Sequence, residues 1–177
     1  MIRLFLVAAS GALLCGLLPA QSPQAPVPEP EARRLEYFAG TWDFRLEMKP
    51  SAFGSGGLVT GTDRNAMLPG GFFLVCRYET KSPVGEFRGL EVLGWDAAAK
   101  QYLEHGFDNR GQSHLYRGTV EGGTWTFTYD IPFEGRSMKG RIVLKELSPT
   151  LQSYRSDVSE DGKTWTTVLE GEMTKIR

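Results

Sequence analysis

The chain has 177 residues, with 21 acidic and 20 basic side chains and a net charge of −1, enough for one domain with its own core. Near-neutral charge without a basic stripe argues against nucleic acid as a partner. Two cysteines, one of them inside an apolar leader, leave no internal disulfide framework.

Met1-Ile2-Arg3 gives a short positive start, Leu4 to Leu18 is uncharged and apolar, and Leu18-Pro19-Ala20 offers a small residue at a cleavage position. This is the pattern of a secretory signal peptide over 1–20, cut before Gln21. The run is shorter than the roughly 20 residues a membrane span needs, so a retained anchor is the weaker reading. Leu14 before Cys15 is a poor fit to a lipidation site. The expectation is an exported protein, periplasmic or secreted, with no membrane span after cleavage. Residues 21–34 then form a Pro-rich flexible tether, and 35–177 a single barrel domain.

Glu31 to Phe38 suits one short helix, with Pro30 in its first turn, Leu35 and Phe38 on one face, and Gly40 ending it. From Thr41 the period becomes two: Trp42, Phe44, Leu46 and Met48 alternate with Asp43, Arg45, Glu47 and Lys49. Further strands are predicted at 57–67, 71–80, 87–95, 100–108, 112–120, 123–130, 137–147, 150–159 and 163–175. Turn signals separate them, among them Leu68-Pro69-Gly70, Asp108-Asn109-Arg110-Gly111, Gly122-Gly123 and Glu160-Asp161-Gly162. About ten short strands joined by tight turns, with one apolar face, predict an all-β, closed antiparallel up-and-down barrel, because closure removes exposed edges. Gly54 to Gly57 reads as a connector, with a lid beside the barrel mouth as the alternative.

Turn geometry sets the faces. A two-residue turn at Gly122-Gly123 pairs Val120 with Trp125, Gly118 with Phe127 and Tyr116 with Tyr129, so His114, Tyr116, Val120, Trp125, Phe127 and Tyr129 share the inner face. A loop centred on Asn109-Arg110 pairs His105 with His114 and Leu103 with Tyr116, sending Tyr102 and Glu104 outward. A three-residue loop ending in Gly111 shifts the register by one and flips that strand; the first register keeps Leu103 and Phe107 inside and is favoured. With a turn at Asp161-Gly162, Val158 faces Trp165, and Tyr154, Trp165, Leu169 and Met173 point inward. Arg77, Glu79 and Arg141 fall on the outer face; one pointing inward would anchor an acidic ligand group. Cys76, inside Phe72-Phe73-Leu74-Val75-Cys76, reads as a buried small hydrophobe.

Gly40-Thr41-Trp42 after a short helix resembles the Gly-X-Trp start of the calycin barrels, lipocalins and their relatives, whose Trp plugs one barrel end. Leu35 to Trp42, Gly70-Gly71-Phe72, Gly94-Trp95-Asp96 with Lys100-Gln101-Tyr102, Asp108 with Gly111, and Ser159 to Trp165 together resemble a bacterial family of unknown function, number 1579 in the domain-of-unknown-function series. The resemblance runs from about Leu35 to Arg177 and implies a calycin-like barrel; it implies no activity.

His105 and His114, neighbours across a strand pair in the favoured register, have the chemistry to share a transition metal or offer an axial haem ligand. No third ligand stands at a fixed spacing, since Glu91 reaches His105 in only one of two registers of the 87–108 hairpin, and haem-binding barrels of related shape use a histidine near the C-terminus, which is lacking here. Two interior histidines bonded to Tyr116, water or backbone are the plainer reading, and no cofactor or metal is expected. No nucleophile elbow, phosphate-cradling loop or acid/base carboxylate pair stands out. The interior candidates for contact with a ligand are therefore Trp42, Phe44, His105, His114, Tyr116, Trp125, Phe127, Tyr129 and Tyr154. They suggest a barrel binding a small apolar or aromatic molecule. The alternatives are a non-catalytic envelope protein with a packed barrel, and a barrel isomerase or hydrolase using interior His and Tyr.

Overall fold

The computed structural model describes residues 25–177. The expected signal peptide, its cleavage point and Cys15 lie outside them. One helical turn, α1 (Pro30–Arg33), tightens into a 3-10 turn over Arg34–Phe38. Ten strands follow: β1 (Gly40–Met48), β2 (Gly57–Met67), β3 (Phe73–Ser82), β4 (Gly85–Asp96), β5 (Gln101–Asp108), β6 (Ser113–Glu121), β7 (Thr124–Phe133), β8 (Arg136–Ser148), β9 (Leu151–Ser159) and β10 (Thr166–Lys175). Each pairs antiparallel with its sequence neighbours, and β1 pairs with both β2 and β10, so the meander closes into a barrel without an edge. Among the described residues no helix is long and apolar enough to cross a membrane, which says nothing of crossing by strands.

The helical segment caps one end. Leu35 and Phe38 are buried and join Leu74, Leu93, Tyr102, Trp125 and Phe127 in one cluster. The Phe38 carbonyl accepts from Trp42 Nε1 at 2.8 Å and from Asn65 Nδ2 at 3.1 Å, which ties the cap to β1 and β2. Trp42 is fully buried and plugs this end, as the calycin resemblance implied. Packing against the barrel begins before the expected domain start at Leu35: Trp95 Nε1 donates to Glu29 Oε2 at 3.0 Å and Tyr102 OH to the Glu31 carbonyl at 2.9 Å. These residues have partners on β4 and β5 that the proline content of the segment hides.

At the other end two loops meet. Ser51 and Gly54 bridge in the β1–β2 connection, and the Phe53 ring packs on Phe133 of β7 at 5.1 Å between centroids. β7 lies four strands from β1 in one direction around the barrel and five strands from β2 in the other. The pair therefore closes the mouth from opposite walls.

Two hairpin registers depart from expectation. In β5–β6, Tyr102 faces Gly118, Glu104 faces Tyr116 and Phe107 faces Ser113. The loop is the three-residue alternative: Gly111 has φ 78°, and Asp108 Oδ1 accepts from the backbone N–H of Arg110 and of Gln112, both at 2.9 Å. The aspartate and the left-handed glycine outweigh the exposure of Phe107, which is half out in solvent. Tyr102 and Glu104 therefore turn inward, and Leu103, His105 and Phe107 outward.

In β9–β10 the turn is longer than two residues, because Asp161 Oδ1 accepts from the backbone of Lys163 and Thr164 and from Ser159 Oγ. Val158 then faces Thr166, not Trp165. Trp165 sits on the outer face, with the Arg141 guanidinium 4.2 Å above its ring. The register slips between Thr167 and Leu169, which returns Leu169 and Met173 to the inside.

Candidate functional site

The barrel interior is not filled. A cavity of about 240 Å³ remains between the cap and the mouth. Its apolar lining comes chiefly from Phe44 and Leu46 of β1, Leu93 of β4, Phe127 of β7, Leu144 of β8 and Met173 of β10. Interior rings keep low against the wall because they lie over cross-strand glycines: Phe127 covers Gly118, and Tyr129 covers Gly140, where an added Cβ would collide with the ring.

The polar lining comes mainly from the arc β2–β5, with two further residues across the cavity on β9, between β8 and β10. Asp63 and Asn65 of β2, Cys76 and Tyr78 of β3, Glu91 of β4, Glu104 of β5, and Gln152 and Tyr154 of β9 reach the same space. Sheet register puts them together: Asn65 pairs with Cys76, Cys76 with Glu91, and Asp63 with Tyr78. Glu104 sits diagonally from Glu91, because their cross-strand partners are Leu93 and Gly106. No Lys, Arg or His is among the lining residues.

Without a neighbouring cation, burial dominates the carboxyl groups. It pushes Asp63 up to about 8, with the Glu91 charge adding to the effect. It raises Glu104 to about 7, helped by the charge on Asp63. Glu91 is held well above the ordinary carboxylate range by burial and by Glu104, against a hydrogen bond from Cys76 that favours its charge. The Cys76 thiol and the hydroxyls of Tyr78, Tyr116 and Tyr154 are pushed up as well, first by burial and then by the nearby acids. All three carboxyl-bearing residues are half-buried and line the cavity.

Two acceptors that line the cavity, one on β2 and one on β9, have no partner. Asn65 gives its Nδ2 to the Phe38 carbonyl, leaving Oδ1 buried and unbonded. Gln152 is 2% exposed; its Nε2 donates to Met173 Sδ at 3.1 Å and its Oε1 bonds nothing. Buried orphan acceptors are costly and call for a donor.

Of the residues singled out from the sequence, Phe44, Phe127 and Tyr154 line the cavity. Tyr116 and Tyr129 lie inside next to it, their rings 4.7 Å apart. His114 is half-buried on the same face, 6.0 Å from the Tyr116 ring, but does not reach the cavity wall. Trp42 and Trp125 are fully buried in the plugged end, Trp125 donating to Glu146 Oε1 at 2.6 Å, so both are structural. His105 is exposed on the outer face, and the two histidines do not form a pair. Among the described residues no group of three or more His, Cys, Asp and Glu could hold a metal ion.

Sequence reasoning missed Asp63, met Glu91 only as a partner for His105, and turned Glu104 outward, whereas all three line the cavity. The signal was present: Val59, Gly61, Asp63, Asn65 and Met67 alternate with Thr60, Thr62, Arg64 and Ala66, so Asp63 occupies an inner-face slot. Glu91 likewise falls between Gly89 and Leu93 in the alternation.

A family model described as "Protein of unknown function (DUF1579)" matches residues 27–175. The chain belongs to the DUF1579 family. The match starts at residue 27, close to where the segment begins to pack on the barrel. No curated protein matches the sequence. Among solved structures, one titled "Structure of EF1p2_mFAP2b bound to DFHBI" is similar at 13% identity, over 81% of this chain and 98% of that one, with a TM-score of 0.37. So loose a superposition supports nothing about this DUF1579 chain.

Proposed function

We propose that this DUF1579 barrel binds a small molecule with an apolar or aromatic body in its interior cavity, with no chemistry performed on it, and that it does so as an exported protein. The observation that carries the reading is an unfilled cavity whose largely apolar lining is interrupted by an arc of acids and by two unbonded acceptors. Small-molecule sites combine an apolar enclosure with a few converging polar groups in this way. The volume suits a compact ligand, since a cavity of roughly 150 Å³ already accommodates benzene. A fully packed envelope barrel would leave no such space.

A second reading has an observation in its favour. Glu104 near 7 and Asp63 near 8 are poised to exchange protons at neutral pH, the condition for general acid–base work on a bound molecule. Binding is preferred because burial keeps the Cys76 thiol beside the acids protonated, while the two unbonded acceptors call for a donor from a bound molecule.

Native mass spectrometry on the protein purified from its own cells tests both halves. The expected spectrum is that of a chain starting at Gln21, carrying an extra small mass that denaturation removes. Narrowing the cavity with Val59→Phe should abolish the extra mass while the variant still unfolds cooperatively. An adduct that survives the filled cavity would place binding elsewhere, and a chain retaining Met1 would overturn export.

A further inference from the structure

The polar lining has a sign. Three carboxyl groups, a thiol, four phenols in or beside the lining and two orphan amide oxygens face one space, and no basic side chain lines it. Going around the barrel, the titratable groups are Asp63 on β2, Cys76 and Tyr78 on β3, Glu91 on β4 and Glu104 on β5. Tyr116 on β6, Tyr129 on β7 and Tyr154 on β9 continue the ring, with His114 at the Tyr116 edge and the charge of Asp108 felt by Tyr78. β1, β8 and β10 present only Phe44, Leu46, Ile142, Leu144, Leu169 and Met173 to the cavity. Every unfilled valence is an acceptor or an acid. A neutral hydrocarbon would leave Gln152 Oε1 and Asn65 Oδ1 orphaned, and an anion would meet the carboxyls.

We propose that the ligand is a small organic cation, an ammonium or amidinium group on a compact apolar body, whose N–H donors are taken by the Asp63, Glu91 and Glu104 carboxylates and by the orphan oxygens of Gln152 and Asn65. This rests on the binding reading above and sharpens it. The apolar body lies against Phe44, Phe127 and Met173, and the cationic head replaces the protons that keep the empty cluster neutral. Each carboxylic acid that ionises on binding gives its proton to solvent, so uptake of the cation releases protons, and affinity rises with pH through the range in which Glu104 and Asp63 titrate.

The test is calorimetric titration of the protein with benzylammonium chloride, benzyl alcohol and sodium benzoate, three probes of one shape and different charge. The expected order at about pH 6.5 is benzylammonium at least tenfold tighter than benzyl alcohol, with benzoate undetected. Repeating the titration in two buffers of different ionisation enthalpy should show release of about half a proton or more per cation bound. Glu91→Gln, which keeps shape and removes charge, should erase the preference for benzylammonium while benzyl alcohol still binds. Equal binding of alcohol and ammonium without proton release would overturn the cation inference and leave the binding reading standing. No heat from any of the three would overturn both.

Discussion

A carboxyl group carried into a barrel interior must stay protonated or find a cation, and Asp63, Glu91 and Glu104 have no basic side chain beside them in the cavity wall. Asp157 shows the contrasting solution on the outer face. Burial alone would raise it, but Arg141, at 2.7 Å, and Thr167, at 2.8 Å, donate to its carboxylate and with Arg155 hold it below the ordinary value. Asp161 is held at about 2 by the backbone N–H groups of Thr164 and Lys163. These two sets act on stability in opposite directions. Groups held low contribute stability that is lost as pH falls toward 2. The interior acids, bound to protons more tightly when folded than unfolded, contribute stability present below about pH 4 and lost as pH rises through 7 to 8. The melting temperature of the empty protein should therefore fall by at least about 5 °C between about pH 5 and pH 8.5. A Glu91→Gln/Glu104→Gln double variant should flatten the slope. A melting temperature that rises over this interval would mean the acids are paired with a cation.

At the scale of elements, hairpin loops decided which side chains were legible. Strand limits and barrel closure follow from period-two alternation and glycine-rich turns, and the Gly122-Gly123 hairpin has the expected partners, Val120 with Trp125 and Gly118 with Phe127. The β5–β6 hairpin could not be fixed by hydrophobicity, since apolar Leu103 and Phe107 compete with apolar Tyr102 across adjacent positions. The loop chemistry of Asp108 and Gly111 settled it and exchanged Glu104 for His105 inside the barrel. Trp165 was misplaced for the same reason, a cap by Asp161 that lengthens the turn. Tertiary contacts such as Glu29 with Trp95 leave no trace in local pattern. The mouth is likewise an element-scale feature. Phe53 and Phe133 meet over it, and an aromatic pair of this kind contributes about 0.5–1.5 kcal/mol. Phe53→Ala should speed release of a bound probe by roughly threefold to tenfold, with little change in melting temperature. Stopped-flow displacement reads this directly; an unchanged off-rate would mean ligands pass elsewhere.

For the whole molecule, closure has a consequence beyond hiding strand edges. Ten strands enclose more cross-section than their inner side chains fill, because rings such as Phe127 and Tyr129 lie flat over Gly118 and Gly140. One end is sealed by Leu35, Phe38, Trp42 and Trp125, so access falls to the end where two loops meet. The central claim is that this enclosed space is a binding site. Methyl-resolved NMR tests it most directly, by following the Val59, Leu93, Ile142 and Met173 methyls as benzylammonium is added. The expected result is saturable shifts at these cavity methyls, with the exposed Leu58, Leu147 and Ile176 unmoved. Shifts confined to the exposed methyls, or none at any concentration, would contradict it.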